Sequence, residues 1–217
     1  MPAKRSDPAA IELLVLDVDG VLTDGRLYYS ARGEVLKVFD VKDGLGIKRL
    51  MATGVTVAII SGRRSPMVKR RARDLGIEHV YQGSADKLPI FERLRKRLQL
   101  DTSACAIVGD DLPDVPIMRA AGLAFAVADA HPSAIQAADR VTPQAGGRGA
   151  VRSVCDLLIS ARERATLVGA RERAALDAAR EATTPNGSRD GATPGRGQRA
   201  RAVSDVVKRR RPNGPRT

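Results

Sequence analysis

Residues 13–25 read "LLVLDVDGVLTDG". Four apolar residues form a run suited to a core strand. Two carboxylates then arrive, Asp17 and Asp19, with a third at Asp24. A buried carboxylate is costly unless something positive offsets it. In an open parallel sheet, ligands bind beyond the carboxyl ends of the strands. Charge placed at the end of an apolar run, and not within it, marks such an edge.

The rest of the chain supplies the sheet. Strand patterns fall at 13–19, 55–61 ("VTVAIIS"), 79–83 ("HVYQG"), 105–110 ("CAIVGD"), 123–128 ("LAFAVA") and 140–142 ("RVT"). Helical patterns lie between them. The stretch 42–53 has apolar Leu45, Ile47 and Leu50, and 66–75 is basic and reads as exposed. Leu88, Phe91, Leu94 and Leu98 recur at helical steps within 86–98, and helices follow at 112–121, 132–138 and 151–165. Strands alternating with helices predict an α/β fold, a doubly wound, Rossmann-like, mainly parallel sheet. One insertion breaks the alternation. Residues 24–39 read as two short strands around "SARGE", a β-hairpin.

Four predicted strands carry polar groups to the same edge. Asp17 and Asp19 close the first, Ser61 follows "VAII", Lys87 begins the helix after "HVYQG", and Asp110 and Asp111 follow "AIVG". Asp17, Asp19 and Asp110 would repel one another, and a hard divalent cation such as Mg²⁺ resolves that conflict. Residues i and i+2 of an extended strand share a face. Asp17 can then attack while Asp19 handles protons, which suits phosphoryl transfer through an acyl phosphate. Ser61 could hydrogen-bond a phosphoryl oxygen, and Lys87 could neutralise it.

These motifs, "DVDGVLTDG", "IISGR", the Lys of "ADK" and "GDDLPD", resemble the four motifs of the haloacid dehalogenase superfamily, in order. The resemblance implies a phosphatase or phosphotransferase. Asp17 would be the nucleophile and Asp19 the general acid and then base. Mg²⁺ would be held by Asp17, Asp110 and the main-chain carbonyl of Asp19, with Asp111 and Asp114 in support. Ser61 and Lys87 would hold the phosphoryl group. Cap domains of this superfamily are inserted between the first and second motifs or between the second and third. Asp17 and Ser61 are 44 positions apart and Ser61 and Lys87 are 26 apart, which leaves room for the hairpin but for no cap domain.

A closer resemblance covers about residues 11–162. "FDVKDGLGIKRL", "YQGSADKL", "GDDLPDVPIM", "AVADAHP" and "AGGRGAVRSVCDLLI" are similar to the capless 3-deoxy-D-manno-octulosonate 8-phosphate phosphatases. Members are homotetrameric, Mg²⁺-dependent enzymes of lipopolysaccharide inner-core precursor synthesis. Carried over, the pattern implies substrate contacts from Asp19, Asp40, Val41, Lys42, Asp43, Gly44, Lys48, Arg63, Arg71 and Lys87. It also implies a contribution from Arg148 or Arg152 to a neighbouring subunit's site. An acid usual after "GAVR" is here Ser153. Two alternatives stand beside this substrate. One is a related nine-carbon keto-acid sugar phosphate, which "SGR" in the second motif disfavours. The other is a non-catalytic interaction protein working through its basic tail.

Composition bounds these readings. No apolar run approaches the roughly 20 residues of a membrane helix, and the start, "MPAKRSDPAA", lacks the apolar stretch of a secretory leader. A cytoplasmic protein is expected. Cys105 and Cys155 lie in apolar segments without metal-ligand spacing and read as reduced core residues. The net charge is +12, of which +5 lies in residues 1–164 and +7 in 165–217. The excess is therefore concentrated outside the sheet pattern. We divide the chain into a flexible N-terminus (1–10), a phosphatase domain (11–164), a helical extension (165–182) and a basic tail (183–217). The tail is rich in Gly, Pro, Ser and Arg and has little to bury, so it is expected to be disordered. Its "KRRRP" run could meet nucleic acid or another acidic partner.

Overall fold

The computed structural model describes residues 6–183. The tail beyond Thr183 and the first five residues of the N-terminal segment lie outside the described residues. The chain divides into two units, Met1–Leu176 and Asp177–Thr217. The account below concerns the first.

Six strands form one parallel sheet: β1 (Leu13–Leu16), β4 (Thr56–Ser61), β5 (His79–Gln82), β6 (Cys105–Gly109), β7 (Leu123–Ala126) and β8 (Arg140–Val141). Their spatial order is β5-β4-β1-β6-β7-β8. With the hairpin set aside, this is the 3-2-1-4-5-6 order of a Rossmann sheet, whose direction of winding reverses beside β1. β1, β6 and β7 are buried at every residue. Helices covering both faces explain why their sequences are continuous apolar runs and do not alternate. β1 is clamped on both sides, with Leu16 beside Ile59 of β4 and beside Val108 of β6.

The covering helices are α1 (Val41–Met51), α2 (Pro66–Leu75), α3 (Leu88–Arg97), α4 (Val115–Ala120), α5 (Pro132–Ala137) and α6 (Ala150–Thr183). α2 is not exposed all round, as its basic composition implied. Val68, Ala72 and Leu75 share one buried face while the arginines and Lys69 ring the other. The helix expected at 112–121 begins as a 3-10 turn, Leu112–Asp114, closed by reciprocal capping between Asp111 and Asp114. α6 buries Val151, Val154, Cys155, Leu158 and Ile159 against the core and runs on past 165 as one helix. Both cysteines are buried free thiols. No helix among the described residues is long and apolar enough to cross a membrane.

The described part of the N-terminal segment packs against the last helix. Pro8–Ala10 forms a 3-10 turn that Asp7 caps through the Ala9 amide, at 2.9 Å. The Arg162 guanidinium, from α6, donates to the carbonyls of Ala9, Ile11 and Thr53 at 3.0–3.3 Å. A single charged fork thereby ties the N-terminal segment, the approach to β1 and the turn after α1 to the last helix.

Between β1 and α1 lies only the hairpin, β2 (Tyr28–Ser30) with β3 (Gly33–Leu36), a separate antiparallel pair. No cap domain is present among the described residues. Its outer positions leave Leu27, Tyr29, Val35, Leu36 and Val38 exposed.

The glycines of "AGGRG" close over the turn that follows β1. Gly147 donates its amide to the Val21 carbonyl at 2.9 Å, and Gly146 donates to Asp129 at 2.9 Å. A Cβ at Gly146 would fall 1.7 Å from the carbonyl oxygen of Gly20. Backbone cannot give way as a flexible side chain can. Gly146→Ala is therefore expected to lower stability by about 1–3 kcal/mol, measured as a shift in the midpoint of urea unfolding.

Candidate active site

β1 ends at Leu16, three residues before the strand pattern does. The reason is local. The Val18 carbonyl accepts the amides of Val21, Leu22 and Thr23 at 3.0–3.3 Å, and the Thr23 hydroxyl at 3.3 Å. Gly20, at φ +95°, completes the tight turn. Asp17 and Asp19 thus sit on a turn, and the shared strand face inferred for them is replaced by two directions. Asp17 points to Lys87, and Asp19 points to the hairpin.

The Asp17 side is a compact charge cluster. Lys87, at the start of α3, places its ammonium 2.7 Å from Asp17 Oδ1 and 2.7 Å from Asp114 Oδ1. Asp114 Oδ2 accepts the amide of Asp110 at 3.1 Å. One oxygen from each of Asp17, Asp110 and Asp114 lies within 4.8 Å of the others. Gly20 permits this approach, because a Cβ there would fall 2.0 Å from Asp110 Oδ2. Gly109 does the same for Asp114, with 2.6 Å to its Cβ.

Three carboxylates face one ammonium, which leaves two negative charges uncompensated when all are ionised. Burial, and then the charge of Asp114, push the Asp17 carboxyl up to about 7 against the pull of Lys87. Burial, and then Asp17 and Asp114, push Asp110 up to about 8. Burial also works against charge on Lys87, but the two carboxylates outweigh it and hold its pKa above the ordinary lysine value. Asp110 Oδ1 is buried without a hydrogen-bond partner. A divalent cation fits this donor set, since oxygen ligands suit a hard ion and two positive charges cancel the excess.

Asp19 is held by the hairpin. The Lys37 ammonium, on a side chain 1% exposed, pairs with Asp19 Oδ1 and lies 3.0 Å from Glu34 Oε1. Arg63 Nε stands 3.7 Å from Asp19 Oδ2, and Arg63 Nη2 donates to the Tyr29 hydroxyl at 2.7 Å. Ser61 ends β4 at the same sheet edge, 2% exposed, and its hydroxyl accepts the Arg63 amide at 3.4 Å.

The other expected residues are placed elsewhere. Asp111 turns its carboxylate to the Leu112 amide, at 2.7 Å, and stays outside the carboxylate cluster. Asp40 caps α1 through the Lys42 amide at 2.7 Å. Val41, Lys42 and Lys48 are exposed on α1. Asp43 is 1% exposed, and its carboxylate accepts the Arg152 amide at 2.8 Å, which caps the start of α6. Burial raises its pKa, opposed by that donation. This internal role leaves Asp43 turned from solvent. Gly44 lies under the Arg71 guanidinium, which donates to the Asp40 carbonyl at 3.3 Å and sits 5.8 Å from the Phe39 ring centre. Within the chain, Arg148 lies 4.0 Å from Asp24, and Arg152 Nε lies 2.6 Å from Asp156. Ser153 donates to Gln144 at 2.5 Å, which links α6 to the segment just before the glycine loop.

Four contributors went unread in the sequence. Lys37, Glu34 and Tyr29 belong to a hairpin whose alternation gives no sign that it folds back onto Asp19. Thr23 had a weak signal, a hydroxyl next to the "DG" turn. It is 2% exposed, and its Oγ1 accepts the amides of Gly20 and Gly25.

Comparison with known proteins agrees with this arrangement. The profile of haloacid dehalogenase-like hydrolases matches residues 77–152. The 3-deoxy-D-manno-octulosonate 8-phosphate phosphatase of Escherichia coli K12 is 53% identical over 152 residues, 70% of this chain and 81% of that protein. The Moraxella catarrhalis phosphatase of the same name, solved with magnesium, phosphate and KDO, superposes with a TM-score of 0.71 at 42% identity, over 76% of this chain and 95% of that one. The cobalt-bound Haemophilus influenzae enzyme also gives 0.71 at 42% identity, over 73% and 92%. These relatives are matched over most of their own length, and the chain belongs to the 3-deoxy-D-manno-octulosonate 8-phosphate phosphatase family of haloacid dehalogenase-like hydrolases.

Proposed function

We propose that this chain hydrolyses 3-deoxy-D-manno-octulosonate 8-phosphate to the free sugar acid and phosphate, with Mg²⁺ as cofactor, in the cytoplasm. The observation that carries the reading is the Asp17–Lys87–Asp114–Asp110 cluster at the winding reversal of the sheet. Relatives named for this activity support the substrate. Fold alone would not, since one scaffold serves many reactions.

Asp17, Asp110 and the main-chain carbonyl of Asp19 would hold the cation, with Asp114, within reach of both carboxylates, in support. When bound, it neutralises the carboxylates and the phosphoryl oxygens, so that anions can meet. The chain's own groups do the rest. Asp17 attacks phosphorus as a carboxylate, forming an aspartyl phosphate as the ester P–O bond breaks. Asp19 gives the leaving alkoxide its proton. Asp19 then takes a proton from the water that attacks the aspartyl phosphate, which frees phosphate and restores Asp17. Lys87 lies 2.7 Å from Asp17 Oδ1 and offers its remaining donor capacity to the phosphoryl group. Ser61, at the same edge, supplies a hydroxyl to it. Arg63, beside Asp19, is placed to meet the anionic sugar acid. Asp40, Lys42, Gly44 and Arg71 would extend that surface around the start of α1, with Lys48 farther along the helix.

A capless site needs another body to shield it. The apolar outer positions of the hairpin, Leu27, Val35, Leu36 and Val38, together with Val41 and Leu45, are exposed and support assembly with further copies as a homotetramer. Arg148 and Arg152 lie beside the glycine loop from which such a copy would be reached. The nine-carbon substrate has no specific observation in its favour, and the full set of acid, base and cation residues argues against a purely non-catalytic role.

The direct test is phosphate release from a panel of sugar phosphates in the presence of Mg²⁺. The eight-carbon keto-acid phosphate is expected to exceed the nine-carbon ester by about tenfold or more in kcat/KM. Asp17→Asn is expected to lose activity by about three orders of magnitude or more. Preference for the nine-carbon ester, or unchanged turnover by Asp17→Asn, would overturn the reading.

A further inference from the structure

We infer that Lys37 is the positioning residue of the acid–base step: it pins Asp19 Oδ1 and leaves Asp19 Oδ2 as the oxygen that carries the proton. The inference rests on Asp19 being the proton carrier, as proposed above.

Asp19 sits on a turn next to Gly20 and needs an anchor to aim at a leaving oxygen. Asp17 has one, in Lys87. Among the described residues, the side chain that hydrogen-bonds Asp19 is Lys37, from the strand end of the hairpin 18 residues away, while Arg63 stands farther off. Lys37 is buried, and its ammonium touches carboxylates alone, Asp19 and Glu34. Burying an ammonium is unfavourable unless it is paired, so the hairpin holds this cation in place for contact with those two acids. Glu34 stands beside the pair, 3.0 Å from the ammonium, so that Lys37 serves two carboxylates at once. The two oxygens of Asp19 are then unequal. Oδ1 is occupied by Lys37, whereas Oδ2 is buried, has no hydrogen-bond partner and faces Arg63 Nε at 3.7 Å. An unpartnered buried carboxylate oxygen is a place prepared for a partner that arrives with substrate.

The consequence is specific to proton transfer. An alkyl ester needs a proton on its leaving oxygen, whereas p-nitrophenolate leaves without one. The parameter kcat/KM reports steps up to departure of the leaving group, so it isolates this event from the later hydrolysis of the aspartyl phosphate. The variant is Lys37→Met, which keeps the length and removes the charge. It is expected to lower kcat/KM for the octulosonate ester by about tenfold or more, and for p-nitrophenyl phosphate by less than about threefold. Lys37→Arg, which keeps a charged donor, is expected to restore the parent's ratio of the two values to within about threefold. Equal loss on both esters, or loss on neither, overturns the inference, because a merely structural lysine would not distinguish leaving groups. Should Lys37→Met fail to fold, Lys37→Gln carries the same comparison. Any alkyl phosphate that the parent cleaves can replace the octulosonate ester. An incorrect substrate assignment therefore appears as absent octulosonate turnover in the parent, and an incorrect role for Lys37 as an unchanged ratio.

Discussion

The carboxylates of Asp17, Asp110 and Asp114 crowd around a single ammonium, that of Lys87, and much of the local structure serves to make this possible. Like charges this close in a partly buried site repel by several kcal/mol per pair. The sheet forces the encounter, because β1 and β6 are neighbours and end together. Gly20 and Gly109 remove the side chains that would otherwise stand between the acids. Burial, reinforced by this repulsion, raises the pKa values of Asp17 and Asp110, and a divalent cation would offset both effects.

The second acid of the first motif belongs to a different subsystem. Val18 folds the chain so sharply that Asp17 and Asp19 serve opposite partners although one residue separates them. Asp17 joins the carboxylate cluster. Asp19 joins the hairpin, through Lys37 and, farther away, Arg63. The hairpin thereby occupies the position of a cap without being one. It meets Asp19 through Lys37, and it leaves Leu27, Val35, Leu36 and Val38 exposed. Asp17 and Asp19 are held by separate elements, by Lys87 at the start of α3 and Lys37 at the end of the hairpin, so each can be perturbed without the other.

Sequence and structure agree where local pattern decides. The six strands, the hairpin and the clustering of Asp17, Lys87 and Asp110 at one edge follow from apolar runs ending in charge, as alternating α/β chemistry requires. Contacts between distant segments were not legible. Nothing in "GEVLK" announces that Lys37 turns inward, since in an isolated hairpin a lysine is a solvated side chain. The cap that Asp43 gives α6, from 109 residues away, had no sign in its motif. Asp111 and Asp114 read as equivalent supports, and capping geometry separates them. Asp111 closes the turn, while Asp114 completes the cluster. The length of α6 was half read, because its polar continuation lacks the periodic apolar face that marks its first turns.

The central claim is that the carboxylate cluster exists to take a divalent cation, and proton counting tests it directly. Two carboxyls held at about 7 and about 8 must lose protons before they bind metal, so binding and deprotonation are linked. Calorimetric titration of the metal-free chain with Mg²⁺, repeated near neutral pH in buffers of different ionisation enthalpy, measures the protons released. The account predicts net release on binding and an affinity that rises as pH increases through the range from about 6 to about 8. Asp110→Asn should abolish most of both. Binding with no proton release, with an affinity flat across that range and unaffected by Asp110→Asn, would contradict it.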